Sequence, residues 1–545
     1  GTHIDGVIIE NGNIINTIKK PRDGKDIFVS IWEALEELLS NQDTSKIKRI
    51  NLSTTVSTNA IVEGKTTPVG MIIQSGPGLP HDFLACGDEN VFISGYIDHR
   101  GKVVEELDLE EINSTRELFI KNGLKTCAVV TKFSTRNFDH EVEIKRLLGN
   151  EFDHITMGHT LSGVLNFPRR VFSAYLNAAI HNTFNQFSHS IKKAMMDRGM
   201  NTPLFILKAD GGTTSLAQAE NKPIETILSG PAASFMGLNA LLKTHEDALL
   251  LDIGGTTTDI FFLVDGVPLF EPLGIEIHSY KTLTRAIYST SMGLGGDSSV
   301  RVENQGIRIG PRREGPPYAL GGPMPTPTDA MIALGLAEFG DRKKAIAAME
   351  SLARVLELSM EETARNVLDT LGSMIKSKVD QLLAEINSKP VYTIHELLHS
   401  RRLKPQRINL IGGPAKCLSP ILEKKFNLPC YYPRDYAIAN AIGAAMAKLT
   451  QDITLVADTQ RRILTAGEYG IRERVGRDFT IEDARKRAVQ LLRYSAIDQG
   501  AKEDEIETEI IEESIFNMVD GFYTTGKNIR VKAQIKPGLI GDLRV

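Results

Sequence analysis

Leu249-Leu250-Leu251-Asp252-Ile253-Gly254-Gly255-Thr256-Thr257-Thr258-Asp259-Ile260-Phe261-Phe262-Leu263-Val264-Asp265-Gly266 decides how the rest of the chain is read. Two apolar runs flank a Gly/Thr turn, the pattern of a β-hairpin with a polar tip. Paired glycines let backbone N–H groups approach an anion with no Cβ in the way. Three threonine hydroxyls add donors that can rotate toward phosphate oxygens. Asp252 and Asp259 bracket the turn, and carboxylates beside a phosphate are tolerated when Mg²⁺ or an attacking group lies between them. An ordinary hairpin, whose Gly and Thr serve only the turn, uses the same residue types, so the surrounding sequence has to decide.

Gly1-Thr2-His3-Ile4-Asp5-Gly6 and the apolar run after it repeat the pattern in weaker form, ending in an Asn11-Gly12 turn signal. The Gly-Thr-x-x-Asp frame coincides with Gly255-Thr256-Thr257-Thr258-Asp259, an internal repeat of one structural unit. On that match a strand ending in Asp and Gly is expected before Gly1. Ser229-Gly230-Pro231-Ala232-Ala233-Ser234 opens a small-residue helix to about Leu242, suited to a close crossing between two lobes. A second such helix is expected over 436–448, at Ala437-Ile438-Ala439-Asn440-Ala441-Ile442-Gly443-Ala444-Ala445-Met446-Ala447. Before it, Arg407-Ile408-Asn409-Leu410-Ile411-Gly412-Gly413 reads as a buried strand ending in a Gly-Gly turn. Such a turn lets a flat ring lie against bare backbone.

Periodicity predicts an amphipathic helix over Ile27 to Leu39, a long helix over Phe172 to Ile191 and a helix over Ile481 to Tyr494. Val69 to Gln74, Thr126 to Phe133 and Leu204 to Leu207 read as buried strands, and about 340–400 as a helical insertion. Asn59 to Thr66 misses a phosphate-binding loop of the Walker type by one glycine. It is set aside because Gly64 reads as a helix end, not a helix start. The Ser/Thr-rich turn at Ser53 to Thr58 can still line a polar cleft, and Lys208 and Asp210 sit where a strand end opens into one. Gly293-Leu294-Gly295-Gly296-Asp297 is another Gly-rich turn whose Asp297 can hold a metal-bound water or a ligand hydroxyl.

Composition narrows the classes. The chain has 545 residues, 41% of them apolar, and a net charge of −5. That size supports more than one core, and the charge gives no basic footprint for nucleic acid. Four scattered cysteines without a C-x-x-C pair read as buried thiols of a reducing cytosol. No apolar run is long enough to span a membrane, and no signal peptide is visible. Neither a metal-ligand His cluster nor a Gly-x-Ser-x-Gly elbow is present.

The order of these features, a Gly-Thr-x-x-Asp hairpin, a small-residue helix, a second hairpin, a Gly-Gly strand end and another small-residue helix, resembles the actin, sugar-kinase and heat-shock-ATPase superfamily. Within it the chain is similar to the hydantoinase/oxoprolinase A-subunit family. That likeness rests on Ser53-Thr54-Thr55-Val56-Ser57-Thr58-Asn59-Ala60, Asp210-Gly211-Gly212, Leu228-Ser229-Gly230-Pro231-Ala232-Ala233, Asp252 to Asp259 and Thr326-Pro327-Thr328-Asp329-Ala330. Ile4 stands where the family's first hairpin usually has a second Thr, and Gly296-Asp297 where a Gly-Ser pair is common.

The resemblance implies an α/β, two-lobed, actin-like ATPase with duplicated ribonuclease-H-like lobes, a helical insertion and a small α+β C-terminal region. The lobes are expected at 1–242 and 243–450, with the extension at 451–545. It implies ATP and Mg²⁺ as cofactors and opening of a small cyclic amide, a hydantoin or 5-oxoproline, by phosphorylating the amide oxygen. Asp252, Asp5 and Asp259 are the expected catalytic groups, with Asp252 and Asp5 arranging the metal. Gly1, Thr2, Gly254, Gly255, Thr256, Thr257, Thr258, Gly295, Gly296, Gly412 and Gly413 are expected on the nucleotide. Thr55, Ser57, Asn59, Lys208 and Asp210 are expected on the substrate. A B-type partner subunit or a homo-oligomer, in the cytoplasm and with neither nucleic acid nor membrane, completes the expectation. A ketone-carboxylase subunit, an ATP-driven switch acting on a partner protein, and a non-hydrolysing binding module remain the alternatives.

Overall fold

Side chains along Ala248–Ile253 alternate between two cores. Leu249, Leu251 and Ile253 enter one together with the helices after residue 327. Ala248 and Leu250 enter the other, beneath the two small-residue helices. A strand covered on both faces must be apolar throughout, which is why its polar residues wait until its end. The computed structural model describes residues 3–21, 27–40, 42–271, 273–388 and 402–544.

Ala248–Ile253 pairs antiparallel with Thr258–Val264 and parallel with Arg407–Ile411, which in turn pairs parallel with Cys430–Tyr431. Ser289–Met292 and Val267–Pro268 close the hairpin's outer edge. His3–Glu10 and Asn13–Pro21 form the earlier hairpin around the Asn11-Gly12 turn. Ile50–Leu52 runs parallel to Leu204–Leu207, which pairs antiparallel with Thr213–Ser215.

Residues 69–157 build a separate four-stranded parallel sheet in the order Glu89–Phe92, Val69–Gln74, Thr126–Thr131, His154–Met157. Thr126–Thr131 stops two residues short of the expected Phe133, which takes a left-handed φ of 69° and turns the chain away. The long helix is Phe167–Met196 and starts earlier than its periodicity predicts. Asn166 caps it by accepting from the Arg169 N–H at 3.3 Å, with proline in the first turn.

The expected helical insertion consists of Arg342–Leu356 and Met360–Ser388, and its remainder, 389–401, lies outside the described residues. At the C-terminal end, five antiparallel strands run in the order Ile471–Arg474, Ile463–Ala466, Asp452–Asp458, Tyr523–Ile535, Thr508–Asp520. Helix Ile481–Asp498 buries Ala484, Ala488, Leu492 and Ala496, every fourth residue, into the core of this region.

The two small-residue helices are Ser229–Leu241 and Ala439–Met446, the latter shorter than expected because Tyr436–Ile438 is a 3₁₀ turn. Their crossing explains the glycines. A Cβ on Gly237 would lie 2.0 Å from the Ala439 carbonyl oxygen, and one on Gly443 would lie 2.1 Å from that of Ala233. Only bare backbone fits there. Among the described residues no helix is long and apolar enough to cross a membrane, and of the four free cysteines only Cys127, on a central strand, is buried, while Cys86, Cys417 and Cys430 are half-buried.

Candidate functional site

The turn between the two strands is held from one side. The Gly254 carbonyl accepts from the Gly296 N–H at 2.9 Å, and the Gly255 carbonyl from the Asp297 N–H at 2.7 Å. In a trans peptide the N–H points opposite to the C=O. The N–H groups of Gly255 and Thr256 are therefore directed away from the 295–297 loop, side by side, on a half-buried turn. Consecutive amides aimed the same way form an anion-binding concavity. Gly295 and Gly296 do not join that surface as expected. Both are buried, and Cβ atoms on them would lie 2.6 Å from the Gly254 oxygen and 2.7 Å from the Thr328 hydroxyl. They let the loop brace the turn from behind. Thr258 is also withdrawn, its hydroxyl donating to the Leu294 carbonyl at 2.7 Å.

Register places Asp252 directly opposite Asp259 across the hairpin. Burial pushes the Asp252 carboxyl above its ordinary range; bonds from Ser234 (2.7 Å to Oδ2) and Asn440 and the charge of Lys19 oppose this, while Asp5 adds to it. Asp259 is pushed up to about 6 by burial and by the Asp252 charge, against a bond from Ser291. Asp5 comes from the first hairpin and is paired with Lys19 at 3.1 Å, and Lys19 also donates to the Ala437 carbonyl at 2.7 Å. The first hairpin thus brings a carboxylate and an ammonium toward the second. Gly1 and Thr2, expected on a ligand here, lie outside the described residues.

Asp252 is the common neighbour: the charges of Asp5 and Lys19 act on it from the first hairpin, and it acts in turn on Asp259. Among the described residues no three His, Cys, Asp or Glu side chains form a metal cage by themselves. Mg²⁺ fits this arrangement, because it keeps several waters and takes one or two carboxylates plus substrate phosphates. Asp5 and Asp252 would be those carboxylates.

Gly412 and Gly413 separate in role. Gly412 has φ 92°, and a Cβ there would lie 2.2 Å from the Ile253 oxygen and 2.7 Å from Asp252 Oδ1. It is needed for the strand end to pass the hairpin. Gly413 is exposed, with nothing within 4 Å of its Cβ position, the open backbone that a flat ring requires.

The Ser53–Asn59 segment is knit to residues 226–229. Ser57 is buried and shares a 2.8 Å bond with the Thr226 hydroxyl, Thr58 Oγ1 accepts from the Leu228 N–H at 2.9 Å, and Ser229 donates to the Thr54 carbonyl at 2.9 Å. Asn59 donates to Thr55 Oγ1 at 3.3 Å, and both remain half-buried. Helix Val56–Val62 ends just before Gly64, whose φ is 65°, so the Walker-like run lies at a helix end.

Lys208 and Asp210 find each other. Their charged atoms are 3.3 Å apart, Glu225 lies 3.7 Å from the ammonium, and Thr450 donates to Asp210 at 3.0 Å. Burial pulls the Lys208 ammonium down and pushes the Asp210 carboxyl up. Their mutual attraction, together with Glu225 and Asp452 acting on Lys208 and with Arg285, the Gly212 N–H and Thr450 acting on Asp210, outweighs burial, leaving Lys208 above and Asp210 below its ordinary value. These polar atoms tie the 208–212 turn to residue 450 and are already committed.

Sequence reasoning missed Lys19, Ser234, Asn440 and Ser291, the neighbours that set the carboxylates. It also missed Arg313, which lies 3.3 Å from Asp297. Only Lys19 left a readable signal, as a cation on the strand opposite Asp5.

Known proteins share the fold and parts of the sequence. The chain aligns with an ATP-dependent caprolactamase from Pseudomonas jessenii at TM-score 0.71 and 18% identity, covering 98% of this chain and 86% of that one. With nucleotide-free acetone carboxylase the TM-score is 0.70 at 14% identity, covering 100% and 87%. The α/β fold is shared with both. In sequence it is 24% identical over 313 residues to the acetophenone carboxylase gamma subunit of Aromatoleum aromaticum, covering 52% of this chain and 42% of that subunit. The chain spans under half the length of the curated relatives it matches. The family model for hydantoinase/oxoprolinase matches residues 170–453, and the model for its N-terminal region matches 1–152. With the Asp252 hairpin, both small-residue helices and the Gly-Gly strand end all inside those matches, the chain belongs to the hydantoinase/oxoprolinase family.

Proposed function

We propose that the chain is an ATP-dependent hydrolase subunit that opens a cyclic amide of the hydantoin or 5-oxoproline type. The observation that carries this is the pair of amides on Gly255 and Thr256, turned outward beside Asp252. Family membership and the fold shared with a caprolactamase support it. ATP, when bound with Mg²⁺, supplies the phosphoryl group that activates the amide oxygen. The Gly255 and Thr256 amides and the hydroxyls of Thr256 and Thr257 hold phosphate oxygens, with Gly254 shaping the turn. Such chemistry is mostly positioning and charge neutralisation. Asp252 and Asp5 hold the metal and its waters, and Asp259 adjusts their charge. Gly413 offers its bare backbone to the adenosine.

Thr55 and Asn59 face the amide substrate, while Ser57, Lys208 and Asp210 fix the wall behind it. In this reading residues 1–242 and 243–450 are the two lobes of an actin-like ATPase, with 451–545 appended, working in the cytoplasm. A B-type subunit or a second copy of the chain fits the exposed apolar tip of the last hairpin, at Phe516, Val519, Phe522 and Tyr523.

Similarity to the acetophenone carboxylase gamma subunit and to acetone carboxylase favours a second reading, a subunit of an ATP-dependent ketone carboxylase. Phosphate release from MgATP, measured with hydantoins, 5-oxoproline and caprolactam or with ketones plus bicarbonate, separates the two. Lactam stimulation lost in Asp252→Ala supports amide opening. Stimulation only by ketones moves the assignment to carboxylation, and stimulation only by an added protein moves it to a conformational switch. Failure to bind MgATP sinks all three.

A further inference from the structure

A second concentration of charge, outside the hairpin cluster, lies between the parallel sheet of residues 69–157 and the C-terminal sheet. Arg100, Arg136, Arg461 and Arg472 line one recess together with Asp458. Most of these guanidiniums are partly engaged. Arg100 donates to Asp458 at 2.9 Å and to Gln460 at 2.7 Å, Arg461 donates to the Arg100 carbonyl, and Arg472 donates to Asp139 at 2.6 Å.

Arg136 differs. Its Nε and Nη1 are buried without a hydrogen-bond partner, as are Arg100 Nε and the hydroxyls of Ser134 and Thr135 just before it. Burial and the charge of Arg530 pull the Arg136 guanidinium down, with Asp458 pulling the other way. A desolvated cation without acceptors is costly to keep unless an anion supplies them.

Local packing fixes the arrangement before any ligand arrives. The Arg136 N–H donates to the Phe133 carbonyl at 2.8 Å, and Asn137 donates to the Gly101 carbonyl at 3.0 Å. A Cβ on Gly101, whose φ is 78°, would lie 3.0 Å from the Arg136 carbonyl oxygen. The turns bearing Arg100 and Arg136 are thus pressed together. Four cations face Asp458 inside the recess and Asp139 just outside it, an excess of two positive charges. Guanidinium forks match carboxylate and phosphate equally well. Forks arriving from four separate backbone segments, with a charge excess of two, suit a tetrahedral dianion better than a flat monoanion.

We propose that this recess binds a phosphate dianion between Arg136 and the guanidiniums of Arg100, Arg461 and Arg472. The dianion is either free inorganic phosphate or the end of a phosphomonoester. The test is calorimetric titration and thermal melting of the full chain, without nucleotide and at fixed ionic strength, with sodium phosphate, methyl phosphate and acetate. Phosphate is expected to bind and raise the melting temperature, and Arg136→Gln to weaken that binding at least about tenfold, the loss of a charged hydrogen-bonding group.

Without phosphate, Arg136→Gln should melt at or above the parent, because it removes an uncompensated cation. If that variant does not fold, Arg472→Gln, 36% exposed at the rim, is read in the same way. Binding of methyl phosphate as well as the free ion assigns the site to phosphomonoesters, and binding of the free ion alone assigns it to inorganic phosphate. No response to phosphate, an equal response to acetate, or a response lost in Thr256→Val but kept in Arg136→Gln overturns the proposal.

Discussion

Replacing Asp259 by asparagine should stabilise the protein by an amount that grows as pH rises from about 4 to 6 and is full above that. The carboxyl is raised from 3.8 to about 6 in the folded chain by burial and by Asp252 opposite it. Below pH 3.8 both folded and unfolded chains carry the proton, and the site costs nothing. Between 3.8 and 6 the folded state holds more protons than the unfolded one, so stability falls as pH rises, and above 6 the penalty is complete. At ~1.36 kcal/mol per pH unit the ceiling is roughly 3 kcal/mol. Asp259 keeps some contact with solvent, which screens the cost to about half that value.

The asparagine side chain preserves the shape and the bond to Ser291 without the charge. For a cooperative unit of about 150–250 residues, ~1.5 kcal/mol corresponds to roughly 3 to 6 °C. Calorimetric scans of parent and Asp259→Asn from pH 4 to 8, in chelator, should show this offset at pH 7 and above and none at pH 4. A constant offset, or a variant that melts lower at pH 7.5, would refute the argument.

Gly412→Ala and Gly413→Ala should diverge. The first forces a Cβ into the Ile253 carbonyl at a left-handed φ and should destabilise by about 1–3 kcal/mol. The second should leave the melting temperature unchanged and weaken ATP binding, read by titration. Gly443→Ala places a methyl against the Ala233 carbonyl and should cost ~1–3 kcal/mol in urea denaturation. Lys19→Met removes a cation that holds the Asp252 carboxyl down, so the acid limb of any ATP-turnover profile should move to higher pH. A limb that stays in place removes Lys19 from the site.

The central hairpin was legible because a tight Gly/Thr turn leaves no freedom in register, so Asp252 had to face Asp259. The first hairpin was less so. Counting back from Asn11-Gly12 sets Asp5 opposite Ile18, but a bulge between Ile8 and Ile9 moves its partner to Lys19. One extra residue on a strand is invisible to periodicity, and it changed the charge of the site. Gly295 and Gly296 read as ligand contacts because glycine signals close approach without saying by what. Here it is the turn's own backbone that approaches. Asp210 meets Thr450 across 240 positions, and nothing local announces such a partner. The start of the long helix is written in Asn166 and the proline of its first turn, which are capping signals that apolar periodicity does not register.

The crossing of Ser229–Leu241 over Ala439–Met446 has a mechanical consequence. At Gly237 and Gly443 main chain meets main chain with no room for a side chain between them. Such a contact sets the spacing of the two helices at the thickness of bare backbone, like the pin of a pair of scissors. One blade continues from Leu241 toward the strand that ends in Asp252, and the other is reached from the Gly412-Gly413 turn. A single methyl group at either glycine would wedge the pin open and carry the misfit out to both tips.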